Sequence, residues 1–381
     1  MPLELKPLLT KSAIVFRGYN VTNLGRTAEL LAHPSYGSLV RKCLAEAGET
    51  ASDILGRKID LVDRVERQEE TCLATFADAI ALIVSAEVAQ IRCLAEFFDI
   101  HFAEAGVALG YSLGEVTAVV CGGILAMADA ISVPVAMADD CAALGEDTGM
   151  GIVFSRGDAL NLDDINRLCL EVNQQGKGVL GISAYLSPNT VLVLGQQDTI
   201  ERFKQLSRER MPKEVHLRRN DSHWPPLHTP IMWERSIPNR SAKMMHTLKN
   251  GLAAPTPPII SLVTGKCSYN EYNAREILNR WIDHPQRVWE GINELLTRGI
   301  ETVIHVGPQP NLFPATFKRL SENVQSQLAG SSPGSLGLRF VSGMARRQWL
   351  SAILPSSTAL LRAPFLQHVI LEDWLLAQKV T

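Results

Sequence analysis

A mixed α/β fold, with a parallel main sheet interrupted by a small inserted unit, is what this sequence predicts, and three observations carry it. Short apolar runs of strand length at 13–16, 106–109, 259–263 and 302–306 alternate with long stretches of helical periodicity, the pattern of strands buried on both faces of a parallel sheet. Between residues 148 and 222 the texture changes to strand, helix, strand, strand, helix, strand, the split βαββαβ order. Third, Gly110-Tyr111-Ser112-Leu113-Gly114 stands between an apolar strand and a run of small helix-forming residues. In that setting a Gly-x-Ser-x-Gly pentapeptide makes a sharp strand-to-helix turn with the serine exposed at its apex.

The elements follow in order. Residues 13–16 form the first strand and run into a glycine turn, Arg17-Gly18-Tyr19-Asn20, at the carboxyl edge where open parallel sheets place their sites. Apolar residues at helical spacing (Leu30, Leu31, Leu39, Val40, Leu44) continue from 28 to 67, with breaks expected near Pro34 and Gly48. Residues 71–102 contain neither Gly nor Pro and read as one or two buried helices, with Gln90 and Arg92 on a hydrogen-bonded surface stripe. After the serine turn, 116–130 is rich in Ala, Gly and Val and suits a helix packed closely on the sheet. Pro134 is expected to interrupt the helical pattern that follows.

In the inserted unit, strands are placed at 149–154, 179–185, 190–195 and 214–217, helices at 161–173 and 198–208, and a turn at Ser187-Pro188-Asn189. Beyond it come a helix over 233–252, the strand 259–263, helices at 274–282 and 288–297, and the strand 302–306 ending in Gly307-Pro308. The Gly/Ser/Pro-rich stretch 329–337 reads as a flexible linker. The apolar segment 363–378 either packs back on the body or docks a partner. The expected organisation is an α/β-hydrolase-like large subdomain (1–147 and 223–328), a ferredoxin-like small subdomain (148–222), and a linker with a C-terminal extension (329–381).

Composition sets the outer limits. With 381 residues, 46% hydrophobic and 20% charged, the chain supports a large core and more than one folded part. A formal charge of −3 and an isoelectric point near 6.3 give no case for nucleic acid or an anionic membrane as partner. Seven cysteines without a Cys-x-x-Cys pair read as buried reduced thiols, not as disulfides or a metal site. No run of about 18 uninterrupted apolar residues is present. Met1-Pro2-Leu3-Glu4-Leu5-Lys6 lacks the basic start and apolar core of a signal peptide, so a cytoplasmic protein is expected.

The chemistry concentrates at the serine turn. Its glycines let the backbone pass through a tight bend, and N–H groups at the helix start can stabilise an oxyanion. A Pro-rich loop at 221–228 carries two histidines, His223 and His228, and the loop by itself does not choose between them. Asp283 would be a third triad member in a hydrolase reading; a turn or cap role is the plainer one.

These parts resemble the malonyl-CoA:acyl-carrier-protein transacylase family, including the acyltransferase domains of fatty-acid and polyketide synthases. The resemblance covers roughly residues 12 to 325 and rests on Phe16-Arg17-Gly18, Gly-x-Ser-x-Gly-Glu at 110–115, Cys121-Gly122-Gly123, the inserted unit, His228-Thr229-Pro230-Ile231-Met232, Val263-Thr264-Gly265 and His305-Val306-Gly307-Pro308. It implies a Ser112–His228 dyad, with the histidine oriented by a main-chain carbonyl near Trp281 and the oxyanion held by the N–H groups of Leu113 and Tyr19. Acyl-CoA and an acyl carrier protein are the implied partners. Thioester exchange calls for no cofactor.

The sequence departs from that pattern at four places. Tyr111 stands where the family usually has histidine, Arg17 and Tyr19 replace its Pro and Gln in the first loop, and Leu186 replaces its Asn before Ser-Pro. Counted without gaps, the family's carboxylate-binding arginine falls on Met137, which cannot pair with an anion. Arg17, Arg92 and Arg280 read as solvated surface arginines. An apolar pocket floored by Met137, Leu186 and Leu227 is therefore expected to prefer an uncharged acyl group over malonyl, as in starter-unit acyltransferase domains. The alternatives are a malonyl transacylase with a relocated carboxylate contact, an editing acyl-carrier thioesterase, and a non-catalytic docking subunit.

Overall fold

The first strand, β1 (Ser12–Phe16), is buried at every residue, because in a parallel sheet helices cover both faces of a central strand. The computed structural model to which it belongs describes residues 3–156, 158–220, 222–329 and 356–380. Apart from Ala329, the linker expected over 329–337 lies outside them.

Three helices follow: α1 (Thr27–Ala32), α2 (Gly37–Leu55) and α3 (Leu61–Glu66). The break at Pro34 separates the first two. No break occurs at Gly48, because α2 runs through it and stops at Gly56 in the left-handed conformation, φ 64°. Gly48 serves close approach instead, since a Cβ there would lie 2.9 Å from the Ile59 carbonyl oxygen.

One long helix, α4 (Phe76–Phe98), crosses the core. Leu73–Phe98 is long and apolar enough by length and composition to cross a membrane, yet 89% of its apolar window is buried within the protein. Gln90 is not on a surface stripe: it is buried and accepts the N–H of Gly307 at 3.0 Å. Arg92 is half exposed and faces Glu46 at 3.6 Å.

Strand β2 (Val107–Gly110) pairs in parallel with β1 and delivers the chain into α5 (Leu113–Cys121). The single helix expected over 116–130 is divided, because Gly122 caps α5 and Gly123 adopts φ 79°. The chain resumes as α6 (Met127–Ala136), which contains Pro134, and passes at Met137 into α7 (Ala138–Gly145).

The second sheet comprises β3 (Thr148–Ser155), β4 (Leu180–Ser187), β5 (Thr190–Gln196) and β6 (Val215–Asn220), antiparallel throughout in the order β4-β5-β3-β6. Helices α8 (Leu162–Gln174) and α9 (Thr199–Arg210) pack on it through a core that includes Val153, Val172, Val193 and Phe203. This is the split βαββαβ arrangement.

The helix expected over 233–252 is two pieces, a 3-10 helix Pro230–Arg235 and α10 (Ile237–Thr247). Pro238 sits in the first turn of α10, where its missing N–H is an orphan anyway. Then come β7 (Ile259–Ser261), β8 (Lys266–Cys267), α11 (Ala274–Arg280), α12 (Val288–Thr297), β9 (Thr302–Val306) and α13 (Leu312–Ala329).

The C-terminal segment packs back on the body. Its strand β10 (Gln367–Ile370) pairs in parallel with β9, and α14 (Leu371–Ala377) buries Leu371 and Leu375. Trp374 Nε1 donates to the Leu3 carbonyl at 2.7 Å, and the Tyr36 hydroxyl to that of Leu375 at 3.1 Å. The main sheet therefore has the order β10-β9-β1-β2-β7-β8, parallel except for β8. The loops after β1, β2 and β9 meet at one edge, as in other open α/β sheets. A parallel bridge between Ala184 and Gln286 ties β4 to the main body beside that edge.

Candidate active site

The turn after β2 is built by its glycines. A Cβ on Gly110 would lie 2.0 Å from the Gly114 carbonyl carbon, and one on Gly114 would lie 2.6 Å from the Phe16 oxygen. Only glycine allows α5 to start so close to β1. Ser112 takes φ 53° and ψ −118°, a conformation that costs an L residue of order 1–3 kcal/mol. Neighbours hold it there: the Trp281 indole donates to the Ser112 carbonyl at 2.9 Å, and the Ser112 N–H donates to Gln286 Oε1 at 3.3 Å.

His228 also has a positive φ, 67°, and its N–H donates to the Ile282 carbonyl at 2.7 Å. Its ring spans two partners, with Nε2 2.8 Å from Ser112 Oγ and Nδ1 2.6 Å from the Trp281 carbonyl oxygen. A carbonyl only accepts, so the proton belongs on Nδ1 and the Nε2 lone pair faces the serine hydroxyl. Burial pushes the ring down to about 4, against the opposing pull of the Trp281 carbonyl. The imidazole is therefore neutral at pH 7. His223 is exposed. Asp283 faces His284 Nδ1 at 2.6 Å, and among the described residues no carboxylate bonds His228.

Tyr19 and Tyr111 line the cleft in front of Ser112. Gly18 lets the first loop lie against the turn, since its Cβ would fall 2.6 Å from the Tyr111 oxygen. The Tyr19 ring stands edge-on to Phe76 and Trp224, with centroids 5.0 and 6.0 Å away. Among the described residues, no acceptor takes the main-chain N–H of Tyr19 or of Leu113, the first residue of α5.

Arg17 is not a surface arginine. It is 4% exposed, and its guanidinium donates to the carbonyls of Gly18 (2.8 Å), Thr22 (3.1 Å) and Pro308 and to Asn23 Oδ1 (2.8 Å). Its N–H donates to Glu87 Oε1 at 2.8 Å, and Thr117 Oγ1 donates to the other oxygen of that buried carboxyl. Burial pushes Glu87 up. The arginine is thus spent on holding the first loop from within. Arg280 is half exposed beside Glu276 at 3.9 Å, and like Arg92 it lies away from the cleft.

The cleft, about 380 Å³, runs between the two sheets and is lined by Tyr19, Tyr111, Met150, Leu186, Trp224 and Leu227 around Ser112 and His228; among the described residues none that lines it is Asp, Glu, Lys or Arg. Met137, Leu186 and Leu227 do not floor one pocket. Met137 lies in a separate buried cavity of about 20 Å³ with Phe76, Ile80, Leu113, Trp281 and Ile282, and among the described residues only Leu227 lines both spaces. The reason is that Met137 closes α6 on the helical side of the sheet, whereas Leu186 projects from β4 on the other side of the cleft.

Among the described residues no group of three His, Cys, Asp or Glu side chains could hold a metal ion. All seven cysteines are free; Cys72 is exposed and Cys121 and Cys267 are half-buried, against the expectation that all are buried. Glu115 fastens the turn from behind, accepting from Leu262 N–H at 3.0 Å and from the Tyr269 hydroxyl at 2.8 Å. Gln286, which touches both Ser112 and His228, is a site residue that sequence reasoning missed, and no motif around it signals the contact.

No family model matches the chain. In sequence it is similar to the malonyl CoA-acyl carrier protein transacylase of Escherichia coli O157:H7, 27% identical over 311 residues that cover 79% of this chain and 90% of the relative. It is also similar to a polyketide synthase of Streptomyces halstedii, 24% identical over 306 residues, 78% of this chain and 4% of the synthase. In fold it is similar to the FabD protein of Acinetobacter baumannii, with a TM-score of 0.64 and 21% identity over 81% of this chain and 90% of that one. Its relatives are malonyl-CoA acyl carrier protein transacylases and polyketide synthase acyltransferase domains, and it shares their mixed α/β fold.

Proposed function

We propose that this chain moves an acyl group from a coenzyme A or carrier-protein thioester to the phosphopantetheine thiol of an acyl carrier protein, through an acyl-enzyme on Ser112. The carrying observation is the 2.8 Å contact between Ser112 Oγ and Nε2 of a neutral, carbonyl-oriented His228. The relatives, malonyl CoA-acyl carrier protein transacylases by name, support the reaction class.

Ser112 Oγ attacks the thioester carbonyl carbon while Nε2 of His228 takes its proton. The oxyanion that forms is met by the N–H groups of Leu113 and Tyr19. Collapse breaks the carbon–sulfur bond, and the departing sulfur takes the proton back from His228. In the second half, His228 removes the proton of the incoming thiol, whose sulfur attacks the serine ester and restores the hydroxyl.

The acyl group in this reading carries no carboxylate. Among the described residues nothing cationic lines the cleft, Arg17 is bonded elsewhere, and Met137 and its neighbours are apolar. A carboxylate left unpaired there would cost several kcal/mol. Loading an acetyl or longer starter unit, in polyketide or fatty-acid synthesis, fits this chemistry.

The test is the mass of the adduct on Ser112 after incubation with a mixture of malonyl-CoA and uncharged acyl-CoAs. An uncharged acyl adduct, absent from Ser112→Ala, is expected. A predominant malonyl adduct overturns the acyl preference, and no adduct overturns the enzyme reading. Passage of the label to holo acyl carrier protein faster than to water separates transfer from hydrolysis.

A further inference from the structure

Gln286 connects the two sides of the cleft. It follows Pro285 in the turn between α11 and α12 and is fully buried, 0% exposed. Its main chain belongs to the small sheet: its N–H donates to the Ser183 carbonyl at 2.8 Å, and its carbonyl accepts the Tyr185 N–H at 2.8 Å. Its side chain belongs to the reactive pair. Oε1 accepts the Ser112 N–H at 3.3 Å, and Nε2 lies 3.4 Å from Nδ1 of His228.

Ser112 precedes α5 at a positive φ, so its N–H lies outside the helical ladder and needs an acceptor if buried. Gln286 supplies it, while Trp281 grips the Ser112 carbonyl from the same segment. Residues 281 and 282 also accept from His228, at Nδ1 and at its main-chain N–H. One short stretch therefore fixes both members of the pair, and Gln286 is the point at which it is pinned to β4.

The amide also has a polarity. Because Nδ1 already donates to Trp281, the N–H groups of Gln286 present their positive end to the ring edge and form no bond with it. Among the described residues, the side chains in polar or ring contact with the His228 ring are Ser112, Trp281 and Gln286. Of the titratable residues next to Gln286 in sequence, Arg287 pairs with Glu290 at 3.1 Å, and Asp283 and His284 face each other.

We infer that Gln286 is a positioning residue: its amide sets the Ser112 main chain against His228 and ties that geometry to the register of the small sheet. The inference rests on reading Ser112 and His228 as the reactive pair. A fluorophosphonate tests it independently of acyl identity. Ser112 Oγ displaces fluoride from phosphorus as its proton passes to His228, so the inactivation rate reads the pair directly.

Gln286→Met keeps the volume and removes the acceptor. It is expected to slow inactivation at saturating reagent by about tenfold or more, with half-saturation little changed. Gln286→Glu keeps an acceptor for Ser112 but sets a carboxylate beside Nδ1. It is expected to move the acid limb of the rate profile up by about one pH unit or more, which a merely structural role would not do. If Gln286→Met fails to fold, the Glu variant carries the test. No adduct on wild-type Ser112 overturns the acyl-transfer reading and this inference together. Wild-type labelling that both variants match in rate and pH profile overturns this inference alone.

Discussion

Ser112 and His228 both hold backbone angles that ordinary residues avoid, φ 53° and 67°, and they face each other because of it. Each is bonded through its main chain as well as its side chain, so the geometry is fixed before any substrate arrives. Because burial holds His228 near 4, the ring is an unprotonated base throughout the neutral range. The acylation rate of Ser112 is expected to stay level from about pH 8 to about pH 5 and to fall only as the ring protonates near 4; a pH series of single-turnover rates checks this. His228→Ala should lower that rate by about 10²- to 10⁴-fold.

Glu115, on the hidden side of the same turn, carries a prediction of opposite sign. Burial pushes it up to about 7, partly offset by the hydrogen bonds that it accepts. A carboxyl raised above its unfolded value binds more protons when folded, so its contribution to stability is lost as pH rises from about 4.5 to about 7. Wild type should lose about 3 kcal/mol relative to Glu115→Gln across that interval. Denaturant midpoints of the two proteins at pH 5 and pH 8 measure the difference.

At the scale of elements, glycine meant different things at different places, and the sequence did not say which. Gly122 and Gly123 divide what reads as one helix, whereas Gly48 lies inside α2 and admits the Ile59 carbonyl. Helical periodicity locates both runs equally well, because it reports which residues face the core and not what passes over the surface. Pro134 and Pro238 show the same limit: one lies within α6 and the other opens α10. In the serine turn the glycines have no slack. Gly114→Ala would place a Cβ 2.6 Å from the Phe16 oxygen and 2.5 Å from that of Arg17, both main-chain atoms. The variant is expected to be insoluble or destabilised by about 3 kcal/mol or more, as thermal melting beside wild type would reveal.

For the molecule as a whole, the C-terminal segment is part of the main body. Beyond the β10 pairing with β9, Glu372 accepts the N–H groups of Arg26 (3.0 Å) and Gln309 (2.8 Å). It thereby joins α14 to the loops after β1 and β9 that border the cleft. Glu372→Ala should cost about 1–3 kcal/mol, the usual penalty for stranding buried donors, read as a lower melting temperature. Removing residues 356–381 would leave the edge of β9 unpaired and the apolar surface under Leu371 and Leu375 bare, which favours aggregation; light scattering of the truncated protein tests this.

The sequence by itself determined the order and type of nearly every element, the split unit within the parallel sheet, and the turn at Ser112. These depend on local periodicity and on residues with few backbone options. It also brought Ser112, His228 and Trp281 forward as candidates, through the resemblance of their motifs. Tertiary structure decided the rest. It set His228 against Ser112 and left His223 exposed, kept Asp283 away from His228, turned Arg17 inward, separated Met137 from Leu186, and brought Gln286 to Ser112 across 174 positions of chain. Such contacts have no local signature, because they are fixed by how sheets and helices close-pack over long sequence separations.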